Sequence, residues 1–195
     1  MTLWTHYWTG KTVAREERYT QHTGDDLMEH TAGNQFLGRG VGPGDTVYII
    51  TYSDGDLRII GKMVVDAVLN QHDAEVRMGT TNLWKASEHL VARPGTASKR
   101  CFNAVVPQSQ LNNLKFVTDS GLRGIVYNRH GLPDQQTFRA VRKINAPTAR
   151  LFDTLLGIRP QTAKNMATTD SKRPASAKSG IRKQLPATTS IRKTK

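Results

Sequence analysis

Apolar and polar residues are patterned most clearly between Gly42 and Leu69. Val47-Tyr48-Ile49-Ile50-Thr51-Tyr52 is a run of β-branched and aromatic side chains suited to a pleated strand, and Pro43-Gly44 fixes a turn just ahead of it. Asp54-Gly55 supplies the positive backbone angles of a tight hairpin, so a second strand leaves over residues 57–68. Residues 3–8 alternate as a first strand, with Leu3, Thr5 and Tyr7 on one face and Trp4, His6 and Trp8 on the other. Residues 74–78, 88–92, 102–106 and 137–144 read as further strands, and the whole predicts a small β-barrel. Helical signals are fewer. Residues 25–37 open on acidic side chains and stop at Gly38, but Gly33 limits them to one or two turns; residues 109–116 form a short helix. Asn145 caps a last helix over residues 146–156, with Pro147 in its first turn and Ala149, Phe152, Leu155 and Leu156 on one stripe that closes an end of the barrel.

Gly44-Asp45-Thr46-Val47 and Gly61-Lys62-Met63-Val64-Val65 resemble the strand-entry and following-strand motifs of the PUA-like superfamily, and within it of EVE-type domains. The aromatic opening Leu3-Trp4-Thr5-His6-Tyr7-Trp8 and the closing segment Phe138-Arg139-Ala140-Val141-Arg142-Lys143-Ile144 are similar too, so the resemblance spans residues 1–157. It implies an α+β fold: a small mixed PUA-like β-barrel with short flanking helices. It also implies an aromatic-walled pocket that reads a modified base of a nucleic acid. The chain departs from the EVE pattern after the first strand, where Thr9-Gly10-Lys11-Thr12-Val13-Ala14-Arg15 replaces the acidic stretch usual there.

Charge divides the chain in two. Residues 158–195 carry ten Lys/Arg against one acidic side chain, so +9 of the net +12 lies in a segment rich in Ala, Ser, Thr, Pro and Lys. Such a segment has too few large apolar side chains to offset its ordering entropy, which predicts a disordered basic tail behind a single domain over residues 1–157. Its affinity is for phosphates, through counterion release, or it is a solubilising extension. No apolar run is long enough to cross a bilayer and the first residues lack a signal-peptide pattern, so a cytoplasmic location without a membrane partner is expected. The lone Cys101 excludes an intramolecular disulfide and reads as a small packed residue.

Six histidines invite a metal, yet no pair has helical i, i+4 spacing, and there is no nucleophile elbow, P-loop or dinucleotide fingerprint. No cofactor, metal or catalytic residue is expected. The aromatic set is the better lead, because flat faces in a rimmed pocket are what stacking on an unstacked base needs. Trp8 and Trp84, with polar neighbours, are the candidate walls; each is equally readable as core. His30 and Asn34 are candidates for reading a base edge, Asn34 being alternatively a local cap. Arg39 and Lys62, with Arg100, Arg139 and Arg142, are placed on one cationic rim.

Three functions remain open: a non-catalytic nucleic-acid-binding module that holds an unstacked, plain or modified base, its tail adding phosphate affinity; a small hydrolase of the related ASCH type acting on a modified nucleoside or similar small substrate, with Lys62 the candidate for its lysine; and a scaffold whose tail docks on an acidic protein partner. Deleting residues 158–195 is expected to leave cooperative unfolding intact while lowering the log–log salt slope of oligonucleotide binding by about 0.7–0.9 for each phosphate that the tail had neutralised. An unchanged slope would remove the tail from the interface.

Overall fold

The computed structural model of the chain describes residues 1–158; the predicted tail lies outside them. The described part is α+β. Its main sheet has six strands, β1 (Leu3–Tyr7), β2 (His30–Gly33), β3 (Thr46–Ser53), β4 (Asp56–Leu69), β5 (Glu88–Ala92) and β8 (Val141–Lys143), in the order β2-β5-β4-β3-β1-β8. β6 (Phe116–Thr118) and β7 (Gly121–Arg123) make a separate two-stranded ribbon. The helices are α1 (Gly10–Thr23), the single turn α2 (Phe36–Arg39), α3 (Gln71–Met78), α4 (Gln108–Leu111) and α5 (Ala146–Leu155).

The expected closed barrel is not formed: β2 and β8 are both edges. The sheet curls instead. Register shifts at Ile49/Ile50 and between Val65 and Ala67 interrupt the pairing of β4 with its two neighbours, and such bulges bend a strand and strengthen its twist. The curl brings β2 towards the end of β1, where side chains close the gap that backbone bonds leave open. Trp8 donates its indole N–H to Thr31 Oγ1 at 2.9 Å, and Phe36 packs edge-on against His6 with ring centroids 4.8 Å apart.

The hairpin follows its local chemistry. Asp54 and Gly55 take φ of 55° and 85° between β3 and β4, a positive pair that suits the twist of the flanking strands. β3 is buried on both sides, which explains its unbroken apolar run. Val47 and Ile49 join Trp4, Trp8, Met28, Phe36 and Met63 on one face. Tyr48 and Ile50 join Leu57, Phe116, Phe138, Ala149 and Phe152 on the other, which α5 covers. Gly61 allows the close approach of the Met28 segment: a Cβ there would stand 3.2 Å from Met28 Cβ and 3.0 Å from Ser98 Oγ.

Several elements differ from expectation for identifiable reasons. Residues 74–78 lie in helix α3, not a strand: Asn70 caps it by accepting from the Asp73 N–H and Gly79 ends it at φ 65°. Residues 25–37 contain strand β2 before the turn α2, because pairing with β5 overrides weak helical propensity. Residues 102–106 form no strand; they follow β4 through irregular bonds such as Ile59 N–H to Ala104 O and Val106 N–H to Leu57 O. The helix expected over residues 109–116 shortens to α4, and only the end of 137–144 is strand, after a 3-10 turn at Gln135–Thr137. α1 was not anticipated. The last helix is observed as expected, with the Asn145 side chain accepting from the Thr148 N–H. Among the described residues no helix is long and apolar enough to cross a membrane.

β1 pairs in parallel with β3, and parallel neighbours cannot be joined by a tight turn. Asp45, at the entry of β3, supplies the tie. Its carboxylate accepts from the Thr2 N–H at 2.7 Å, the Trp4 indole at 3.0 Å and the Gly42 N–H at 3.2 Å. Burial opposes its charge, but these bonds and the N-terminal ammonium outweigh it and lower the pKa below the usual 3.8. The stabilisation is therefore complete above that usual value and disappears as pH falls through the lowered one. Asp45→Ala is expected to cost about 1–3 kcal/mol at pH 7, since it orphans a buried indole N–H, and the part of that cost due to the carboxylate's charge is expected to shrink as pH falls below 3.8. Denaturant melts across that pH range check this.

Candidate functional site

A cavity of about 470 Å³ opens between α1, β2 and the segment after α3. Its wall includes Arg15, Glu16 and Tyr19 from α1, His30 from β2, Trp84 and Arg100. α1 supplies three of these because Thr9 caps it and Gly24, at φ 73°, ends it; a span with those two signals and no internal Gly or Pro after Gly10 was readable as a helix despite few apolar positions. Arg15 and Tyr19, four apart, share a helix face.

Trp84 is half-buried, with Trp8 packed against it at 5.1 Å and an interplanar angle of 61°. The Arg15 guanidinium lies 4.4 Å from the centre of the Trp84 ring. Glu16 pairs with Arg15 at 3.3 Å and more loosely with Arg100 at 3.8 Å. Arg100, only 8 % exposed in its side chain, also donates to Thr20 Oγ1 and the Asp25 carbonyl. It is a structural strut between α1 and the following loop as well as part of the wall.

His30 belongs to a directed chain. Gln71 donates its amide N–H to Glu75 at 2.7 Å while its oxygen accepts from the Ala86 N–H, which fixes the amide's orientation. That oxygen and the Ala86 carbonyl lie 3.0 and 3.3 Å from His89 Nε2, so Nε2 carries the proton. Neutral His89 then has a bare Nδ1, which stands 2.8 Å from His30 Nε2 and accepts from it. His30 is thereby left with a lone pair on Nδ1. The two rings lie edge to edge, their planes 22° apart and their centroids 5.1 Å apart, as an in-plane N–H···N bond requires. Burial, then the neighbouring His89 and Arg100, push the His30 pKa down to about 3, so the tautomer persists at neutral pH.

Of the residues singled out from sequence, the fold brings His30 and Trp84 together in this cavity. Trp8 is 2 % exposed and lies behind Trp84 as part of the core. Asn34 turns its side-chain oxygen to the Ser87 N–H and hydroxyl, fastening the chain just after Trp84. The single cationic rim is not formed. Arg100 is in the cavity, whereas Lys62 pairs with Asp153 of α5 on the other face of the sheet, where Tyr48 also donates to Asp153 at 2.9 Å. Burial and the Asp153 charge raise the Tyr48 pKa, keeping the phenol protonated. Arg39 and Arg142 lie at β8 instead. Arg15, Glu16 and Tyr19 were missed because α1 was. Compared with known proteins, the chain matches no family model, no curated protein and no solved structure.

Three buried imidazoles stay neutral. Burial holds His6 at about 4, while His30 is at about 3 and His89 is lowered, again chiefly by burial. Since unfolding restores the usual 6.5, the stability is complete above that pH and declines as pH falls through 6.5 towards 4 and 3. His30→Phe is expected to reduce proton uptake on unfolding by about one at pH 5, read from the pH dependence of unfolding free energy. An unchanged slope would mean that His30 is charged in the fold.

Proposed function

We propose that the described unit is a PUA-like, EVE-type module, its sheet curled but open, that binds nucleic acid without turnover and holds an unstacked base, plain or modified, in the cavity beside Trp84. The observation that carries this is the combination in one cavity of an indole face, a second aromatic ring from Tyr19 and the uncharged His30 acceptor. An aromatic face stacks on any base, whereas a fixed lone pair favours a base that offers an N–H, such as an exocyclic amine. Glu16, Asp25 and Glu29 line the same space against Arg15 and Arg100, so the cavity is not a strongly positive one and suits a heterocycle better than a phosphate. The basic composition of the chain supplies the attraction to the polymer.

Arg15 occupies the indole face in the free protein. Its side chain is 52 % exposed, and a cation–π contact at such a site is worth about 0.5–1 kcal/mol, so an incoming base displaces it cheaply. The hydrolase alternative draws less support. Lys62 is neutralised by Asp153 against α5 and does not line the cavity.

A panel of single-stranded oligonucleotides differing in base and base modification tests the proposal. Trp84→Ala is expected to weaken the preferred oligonucleotide by about 1–3 kcal/mol while staying folded, with a thermal melt to measure what the loss of its packing on Trp8 costs. Arg15→Ala is expected to tighten it by up to about fivefold. Trp8→Ala is expected to cost about 3–5 kcal/mol of stability, as a core substitution does. Normal binding by folded Trp84→Ala protein would refute the pocket.

A further inference from the structure

Three arginines gather at the β8 edge without an ion-pair partner among the described residues. Arg142, in the middle of β8, and Arg123, at the end of β7, line a cleft of about 200 Å³ with Phe116, Thr118 and Thr137. Arg39 ends α2, the turn that follows β2 and packs onto β8. Among the described residues no carboxylate lies within 4 Å of any of the three guanidinium groups. Asp134 borders the same cleft; its carboxylate accepts from the Gln136 N–H in capping the 3-10 turn and offsets part of the positive charge without pairing to any of the three.

The Arg142 fork is held before any ligand arrives. Its Nε donates to the Arg139 carbonyl at 3.2 Å and one terminal nitrogen to the Gln136 carbonyl at 3.0 Å. The group lies 6.0 Å from the centre of the Phe116 ring. The other terminal nitrogen has no partner among the described residues. Between Arg139 and Val141, Ala140 adopts φ 74°, a conformation that costs a residue with a Cβ free energy and persists only where the surroundings impose it. That turn is what carries the Arg139 carbonyl back onto Arg142. Partial burial and the nearby charges of Arg39 and Arg123 all work against the Arg142 charge, lowering its pKa. A partly desolvated guanidinium with two further cations near it is relieved by an anion, and a planar fork matches the paired oxygens of a phosphate.

We propose that the cleft lined by Arg123 and Arg142, with Arg39 close by on the turn that packs onto β8, binds a phosphate of the nucleic-acid backbone, apart from the cavity that takes the base. The assignment to a backbone phosphate rests on the function proposed above; the anion site itself does not. It separates two tasks that the sequence had placed on a single rim. The curled sheet makes the pairing reasonable, because β2 leads from the cavity wall at His30 directly into the turn that ends at Arg39.

The test uses the full chain with two probes, sodium phosphate and single-stranded oligo-dT with its oligo-U counterpart. In sodium phosphate, against sodium chloride at equal ionic strength, the Arg142 Nε–H resonance is expected to shift, and the exposed double variant Arg39→Gln/Arg123→Gln is expected to weaken that titration at least fivefold. The same variant is expected to lower the log–log salt slope of oligonucleotide binding by about 0.7 for each phosphate no longer neutralised, with an unchanged melting temperature. Trp84→Ala is expected to keep the full slope. No phosphate-specific shift overturns the site. A phosphate-specific shift with an unaltered oligonucleotide slope overturns the backbone assignment and leaves free phosphate as the ligand. Weaker oligonucleotide binding by Trp84→Ala at an unchanged slope reports on the cavity alone, so the two proposals fail separately.

Discussion

The carboxylate of Asp45 is the constraint on which the arrangement depends. A parallel pair of strands far apart in the chain has no turn to set its register, and the first strand of a chain is prone to fray. Three N–H bonds from Thr2, Trp4 and Gly42 to one buried carboxylate anchor β1 against β3. With β1 in place, Trp4 and Trp8 fall on the inner side of the curl, Trp8 reaches Thr31, and Thr9 starts α1 directly after the strand. The cavity wall is thus assembled from the consequences of a single tie made at the opposite end of β1.

Closing the curl with side chains rather than with backbone bonds has its own result. A backbone ladder between β2 and the neighbouring edge would have completed a barrel and filled the seam. The seam holds α2 and Phe36 instead, so that β2 leads on one side to His30 and the cavity and on the other to Arg39 beside β8. On the outer face the Lys62–Asp153–Tyr48 cluster attaches α5 to the sheet, with the cation answered by a carboxylate and the phenol donating to it. It is satisfied internally, unlike the arginines of the β8 edge.

The chemical division between the two sites follows from desolvation. Imidazoles buried as deeply as His6 and His30 lose their charge, and the hydrogen-bonded Gln71 amide decides which nitrogen of His89, and through it of His30, keeps its proton. Guanidinium groups resist deprotonation and so retain charge where they are crowded. The fold therefore presents an uncharged acceptor beside an indole in one place and unanswered positive charge in another, matching the two parts of a nucleotide on the proposed function.

By itself the sequence determined what local chemistry decides. The Asp54-Gly55 hairpin, the doubly buried β3 run, the alternating β1 and the Asn145-capped α5 were all legible, because turn angles, strand periodicity and caps act within a few residues. α1 and α3 carried readable caps as well, but their weakly apolar faces hid them. His30 and Trp84 were identifiable as polar and aromatic candidates for one pocket, though nothing local told them apart from Trp8 and Asn34. Only the tertiary structure decided that Trp8 is core while Trp84 is wall, that Asn34 serves Ser87, that Lys62 belongs to Asp153 and that Arg39 and Arg142 lie at β8 while Arg100 lines the cavity. These outcomes depend on the bulges in β4, on the curl they permit and on partners tens of residues away, and no spacing along the chain encodes which of two faces a curled sheet will turn inward.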